Sequence, residues 1–321
     1  MHLLVTGASG FIGRKICQHL LQMNHRVRAV TSSHASDSRL FASLPDADRL
    51  DVVRVSHDAA SALDWQQACS GVDAVIHLGA RAHVLSESVE DVLAVYRTAN
   101  CEVTLALALA AIASGVQRFV FISSIGVNGA ETFDAPFKEA DSSAPHSPYA
   151  VSKYDAELGL GKLAEQKGLD VVIVRPPLVY GWSAPGNFGS LMRAVKLGWP
   201  LPLGAVHNQR SLVALDNLVD FIVTCITHPQ AANHTFLVSD GHDLSTTELV
   251  RGMAQAAGVP ARLLPVPVWA LQAGATLLGK GDAVQRLCGN LQVDITKARS
   301  LLGWVPPVSV QEGLRRAMAL S

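Results

Sequence analysis

An α/β chain, a doubly wound parallel sheet with a smaller C-terminal α/β cap, is predicted by three observations. Short apolar runs rich in β-branched residues recur at 3–6, 27–31, 52–55, 74–78, 119–122 and 171–174. Between them lie stretches of helical period at 11–23, 89–114 and 149–166, each long enough to be the crossover that parallel neighbours require. After Arg175 the pattern changes to Pro- and Gly-rich loops and shorter elements. The strands read apolar on both faces, as in a sheet covered by helices on both sides. We therefore assign 1–175 to a dinucleotide-binding domain and 176–321 mostly to a substrate-binding subdomain, some of whose elements return to the first. In the second part helices are expected near Asp216, Ser245 and Ser309, with Ser245 and Glu248 forming a capping box.

The first strand runs into Thr6-Gly7-Ala8-Ser9-Gly10-Phe11-Ile12-Gly13, which opens the first helix. Gly7 permits a tight turn, Gly10 lets backbone approach a pyrophosphate, and Gly13 lets helix and strand pack closely. The helix N-terminus then offers free N–H groups to the phosphates. The spacing is G-x-x-G-x-x-G, and its place between strand one and helix one gives it weight. At the end of the second strand no carboxylate appears before Asp37; Thr31, Ser32 and Ser33, with Arg28 or Arg39 for charge, are placed to meet a 2′-phosphate. NADP(H) is therefore favoured, with NAD(H) as the alternative and solvent-facing arginines as the bland reading.

Asp58 after the third strand is a candidate adenine contact, and His77-Leu78-Gly79-Ala80 ends the fourth where backbone can approach the dinucleotide. Arg81 and His83 stand at the mouth of that strand, as ligand contacts or as surface residues. Ser123-Ser124 closes the fifth strand, on the edge where open parallel sheets bind ligands. Tyr149 and Lys153 follow at a helix start, one turn apart on the same face. A phenol of pKa about 10 is a poor base near neutrality, and a neighbouring ammonium favours the phenolate, so Lys153 is expected to lower Tyr149.

Composition excludes other classes. With 49% hydrophobic and 17% charged residues the chain is neither disordered nor collagenous. Lys plus Arg at 26 against Asp plus Glu at 27 leaves a net charge of −1, so no field draws it to nucleic acid or anionic lipid. The longest apolar run, 105–113, is short of the roughly 18–20 residues of a bilayer span, and the N-terminus reads as a strand, not a signal peptide. Cys17, Cys69, Cys101, Cys225 and Cys288 form no C-x-x-C pair, and the twelve histidines lack metal-ligand spacing. A disulfide framework and a metal site are not expected, and a cytoplasmic protein is.

These residues together resemble the extended short-chain dehydrogenases/reductases of the epimerase/dehydratase type, which act on nucleotide sugars over a Rossmann-type fold. The resemblance covers nearly the whole chain, adding Asn100, the run 123–129, Arg175-Pro176-Pro177, Val179-Tyr180-Gly181, Arg210–Val213 and Leu301–Trp304. It implies catalysis by Ser124, Tyr149 and Lys153, with Asn100 completing a tetrad, and hydride transfer at C4 of a hexose. Besides the glycine loop, Tyr149, Lys153 and Pro176 would contact the cofactor. Ser124, Val127, Asn187 and Arg210 would contact a UDP-sugar, Asn187 being otherwise a helix N-cap and Arg210 a surface salt bridge. Homodimers through the helices around Leu105 and Leu158 are also implied.

Within that family the missing carboxylate favours a 4-keto reductase that exchanges NADPH, and the run 200–217 is similar to bacterial enzymes reducing UDP-4-keto-6-deoxy-N-acetylglucosamine to UDP-N-acetylquinovosamine for surface polysaccharide such as O-antigen. Ala214 departs from relatives that carry His. The alternative is a UDP-hexose 4-epimerase acting on UDP-glucose or UDP-N-acetylglucosamine with retained NAD. A dehydratase is disfavoured because Ile125-Gly126 after Ser124 supplies no carboxylate. A non-catalytic dinucleotide-binding regulator is a more remote reading.

Overall fold

The computed structural model describes residues 1–31, 41, 44, 46–55, 62–81, 91–277 and 281–319. Strands and helices alternate through β1 (His2–Thr6), α1 (Phe11–Gln22), β2 (Arg26–Thr31), β3 (Leu50–Arg54), α2 (Ala62–Cys69) and β4 (Ala74–His77). Next comes a continuous helical run, α3 (Val92–Arg97), a π-helical turn (Thr98–Glu102) and α4 (Val103–Ala113), then β5 (Arg118–Ile122), α5 (Pro148–Lys167) and β6 (Asp170–Arg175). The remainder holds β7 (Leu178–Tyr180), α6 (Gly186–Lys196), β8 (Leu212–Ala214), α7 (Leu215–Thr227), β9 (His234–Leu237) and α8 (Thr246–Ala257). It ends with α9 (Val268–Leu277), α10 (Gly281–Cys288), α11 (Thr296–Leu302) and α12 (Val310–Ala319).

Seven strands form one sheet in the order β3-β2-β1-β4-β5-β6-β9, parallel throughout, and β7 pairs with β8 separately. The order reverses between β1 and β4, which opens the crevice where such sheets take ligands. One face of the sheet is covered by α1, α7 and α11 around Ile16, Leu20, Phe221 and Trp304; the other by α2, α4 and α5 around Trp65, Leu107, Phe119 and Leu160. Full burial of a side chain of this size contributes roughly 1.5–3 kcal/mol. A third cluster, with Tyr180, Phe188, Val206, Met253 and Leu314, is the core of the cap.

The six expected strands are present, with one departure. The third, expected at 52–55, starts at Leu50 and lies at the sheet edge, where Asp51 and Val52 are exposed, so it is not apolar on both faces. β9, from beyond residue 176, pairs with β6 as the seventh strand, so the chain of the cap re-enters the main sheet. The capping box at Ser245 and Glu248 is present, and α7 and α12 begin within a residue of their expected starts. The run Val92–Ala113 is long and apolar enough to cross a membrane by length and composition alone, and its α4 part packs Val103, Leu107 and Ala111 into the core on the sheet. Polar Asn100 and Thr104 within it are fully buried against the sheet side.

Candidate active site

The glycine turn is built as its spacing requires. Gly7 has φ +65°, and a Cβ there would meet the Gly79 nitrogen at 2.9 Å. The Gly10 N–H donates to the Gly7 carbonyl, and a Cβ on Gly13 would fall 2.2 Å from that same oxygen. Gly10 caps α1 without a side-chain bond, and no acidic residue occupies the first turn, so the orphan N–H groups and the positive end of the helix dipole are left for an anion. This cradle fits a dinucleotide pyrophosphate, with Ser9, Phe11 and Ile12 flanking it.

Arg28 is not free to serve that ligand. It lies in mid-strand, its Nε donating to Asp51 at 2.8 Å and its Nη1 to the carbonyls of Ala68 and Ser70 at 2.9 and 2.8 Å. Thr31 is buried, and its hydroxyl has no partner among the described residues. Ser32, Arg39, Asp58 and His83 lie outside the described residues.

His77 turns its ring inward, and a buried chain of hydrogen bonds runs through it. The Gly79 N–H donates to Thr6 Oγ1, which lies 2.6 Å from His77 Nδ1; His77 Nε2 lies 2.8 Å from Thr104 Oγ1, which donates to the Asn100 carbonyl at 2.6 Å. Because the Thr104 proton is spent on Asn100, this ordering makes Nε2 the donor and Nδ1 the acceptor. Only Leu78, Gly79 and Ala80 then remain to face the dinucleotide. Asn100 sits in the π-helical turn rather than in a regular helix. Its Oδ1 accepts the Arg81 N–H at 2.7 Å, and its Nδ2 donates to the Arg81 carbonyl and to Ser152 Oγ. Asn100 therefore clamps the Arg81 backbone to α5. The Arg81 side chain is exposed.

Ser124 stands just beyond β5, its hydroxyl accepting the Gly126 N–H at 3.1 Å. A Cβ on Gly126 would touch Ser124 Oγ at 3.3 Å and the Ala150 methyl at 3.4 Å, so Gly126 stands between the Ser124 hydroxyl and the first turn of α5, which carries Tyr149. That helix starts there because Ser147 caps it and Pro148 fits its first turn. Lys153 is fully buried, with Nζ donating to the Ile122 carbonyl at 2.8 Å and lying 4.4 Å over the Phe121 ring. Burial lowers its ammonium to about 7, against the pull of Glu157. The expected lowering of Tyr149 is absent: burial, with Tyr96 edge-on at 6.0 Å, pushes the phenol up to about 12. At Lys153 desolvation outweighs the attraction of Glu157, and at Tyr149 burial and Tyr96 both raise the phenol.

On the cap side, Asn187 is exposed in the first turn of α6 and is not its cap, which is Pro185. The Arg210 guanidinium is partly buried, donates to the Gly289 carbonyl at 2.9 Å, and forms no salt bridge among the described residues; burial lowers its pKa. Val127 is fully buried, which removes its side chain from a substrate surface, and buried Pro176 accepts the Ile125 N–H. Sequence reasoning missed Glu157, whose signal was a carboxylate one turn beyond Lys153.

The family model described as NAD dependent epimerase/dehydratase matches residues 3–239. A UDP-glucose 4-epimerase of Vibrio cholerae is 44% identical over 318 residues, 98% of this chain and 93% of the relative. The N-acetyl-alpha-D-glucosaminyl-diphospho-ditrans,octacis-undecaprenol 4-epimerase of Escherichia coli O157:H7 is 27% identical, over 99% of this chain and 94% of its own. Among solved structures, UDP-glucuronic acid 4-epimerase from Bacillus cereus in complex with NAD superposes with TM-score 0.80 at 23% identity, covering 99% of this chain and 96% of that one, a likeness of fold. Motif, fold and whole-length similarity agree, and the chain belongs to the NAD dependent epimerase/dehydratase family.

Proposed function

We propose that this protein is an NAD-dependent 4-epimerase of UDP-hexoses, interconverting UDP-glucose and UDP-galactose or their N-acetylated counterparts. The observation that carries the choice over a 4-keto reductase is the whole-length similarity to a UDP-glucose 4-epimerase. The reductase reading leaned on NADP(H), and Arg28, half of the cationic support for a 2′-phosphate, is held by Asp51 and three carbonyls.

A bound nicotinamide supplies the hydride acceptor and donor. Ser124 holds the C4 oxygen, Tyr149 takes and returns its proton, and Lys153 stabilises the phenolate while it exists. Asn100 fixes the Arg81 backbone and α5 on either side of the cleft. Arg210, a partly buried cation without a carboxylate partner among the described residues, suits the diphosphate, because such charges are otherwise costly. A cytoplasmic homodimer is part of the proposal. Leu109 and Leu158 are half exposed on α4 and α5, while Leu105 packs within the chain into the notch at Gly159.

Purified protein incubated with UDP-galactose, without added cofactor, should yield UDP-glucose. Failure to do so, together with reduction of NADP⁺ by UDP-N-acetylquinovosamine, would replace this reading with the reductase.

A further inference from the structure

Tyr149, Lys153 and Glu157 form one stripe along α5, spaced a turn apart. Glu157 is buried, and its carboxylate gathers groups from two strands. It accepts the Ser123 hydroxyl at 2.5 Å, and from β6 it accepts Arg175 Nε at 3.0 and 3.2 Å and Nη2 at 2.5 Å. Arg175 Nη1 donates to Asn128 Oδ1 at 2.9 Å, and Asn128 Nδ2 to the Lys138 carbonyl at 3.0 Å. Each end of this network adjoins a functional position. Ser123 precedes Ser124, Arg175 precedes Pro176, and Glu157 lies one turn beyond Lys153.

We propose that Glu157 is a positioning residue for the reaction, keeping Lys153 charged and, through Ser123 and Arg175, locking the ends of β5 and β6 against α5. This rests on the acid–base roles given to Tyr149 and Lys153 above. Among the described residues the buried ammonium has one oxygen acceptor and an aromatic face, and although the Glu157 carboxylate is paired directly with Arg175, it lies one helical turn from Lys153 and supplies the opposing negative field. Burial is the larger influence on Lys153, and Glu157 is the charge that opposes it. Among the described residues, the charge that acts on the ammonium is Glu157 on its own helix, and Arg175 from β6 is paired with that carboxylate; Tyr149 lies one turn before Lys153 on the same helix.

The test uses full-length wild type, Glu157→Gln, and the double variant Glu157→Gln with Arg175→Gln, which leaves no unpaired buried arginine. The ¹³Cε resonance of Lys153 in lysine-labelled protein, assigned by Lys153→Arg, is titrated, and the pH profile of kcat with UDP-galactose is recorded. In Glu157→Gln the Lys153 titration should move down by roughly one pH unit or more, with the alkaline limb of kcat following it, and in the double variant, which also removes the Arg175 cation, by less. Glu157→Asp should restore part of the shift. Folded variants with unchanged titration and pH profile would overturn the proposal, since a purely structural carboxylate would lower the melting temperature alone. If Tyr149→Phe and Lys153→Met both keep full turnover, the acid–base reading fails and this proposal falls with it; their inactivity beside an unchanged Lys153 titration in the Glu157 variants overturns this proposal alone.

Discussion

Gly13 packs directly on the Gly7 carbonyl: a Cβ at residue 13 would stand 2.2 Å from that oxygen and 2.7 Å from the Ala8 α-carbon. Both obstacles are backbone, so neither can swing aside. Gly13→Ala should therefore push α1 away from β1, at a cost of about 1–3 kcal/mol from overpacking. Equilibrium titration with NAD should show affinity lowered at least about tenfold, a free-energy loss of 1.4 kcal/mol or more, and the melting temperature should fall. Unchanged affinity would remove the glycine turn from the dinucleotide site.

The chain from Thr6 through His77 to Thr104 gives a second expectation. His77→Leu deletes both ring nitrogens and leaves two buried hydroxyls short of a partner, at about 1–3 kcal/mol for each unsatisfied group. Denaturant unfolding should show that loss. His77→Gln, which keeps one donor and one acceptor, should recover part of it.

Lys153 predicts opposite trends for activity and stability above neutrality. Its folded pKa is lowered to about 7 from 10.5, so between those values the unfolded chain binds the extra proton and stability rises with pH, being lost again as pH falls through 7. Turnover needs the ammonium and should decline over the same rise. Tyr149, raised to about 12, holds its proton when folded and works the other way above pH 10. The difference between wild type and Lys153→Met, measured by denaturant unfolding from pH 7 to 9, isolates the lysine; a flat difference would contradict its burial as a cation.

Arg210 forms no ion pair among the described residues, so Arg210→Met should cost the fold little. Loss of a charge-assisted bond to phosphate is worth about 1.5–3 kcal/mol. Calorimetry with UDP should show binding weakened roughly tenfold to a hundredfold, with NAD affinity retained. Equal weakening of both would place Arg210 elsewhere.

Features encoded in local spacing were legible in the sequence. The glycine triplet, the capping box and the Tyr149–Lys153 pair depend on residues within a turn or two of each other, and the structure has them at the expected places. Features made by long-range pairing were not. Glu157 meets Ser123 and Arg175 only after α5 folds over β5 and β6, and the inward ring of His77 depends on Thr6 and Thr104 from separate elements. β9 reads as part of the cap until its register with β6 is known. Arg28 looked available because the sequence could not show Asp51 across the next strand. The lowered phenol failed for a related reason, since one neighbouring charge was weighed without the burial that surrounds both groups.

The most direct test of the account is the turnover of Tyr149→Phe with UDP-galactose, read beside its affinity for NAD. Removing one oxygen atom should cut kcat by about 10²–10⁴-fold, the contribution of a general acid–base group, while NAD binds within about twofold of wild type. Turnover at the wild-type rate would contradict the assignment of Tyr149 as the group that moves the proton.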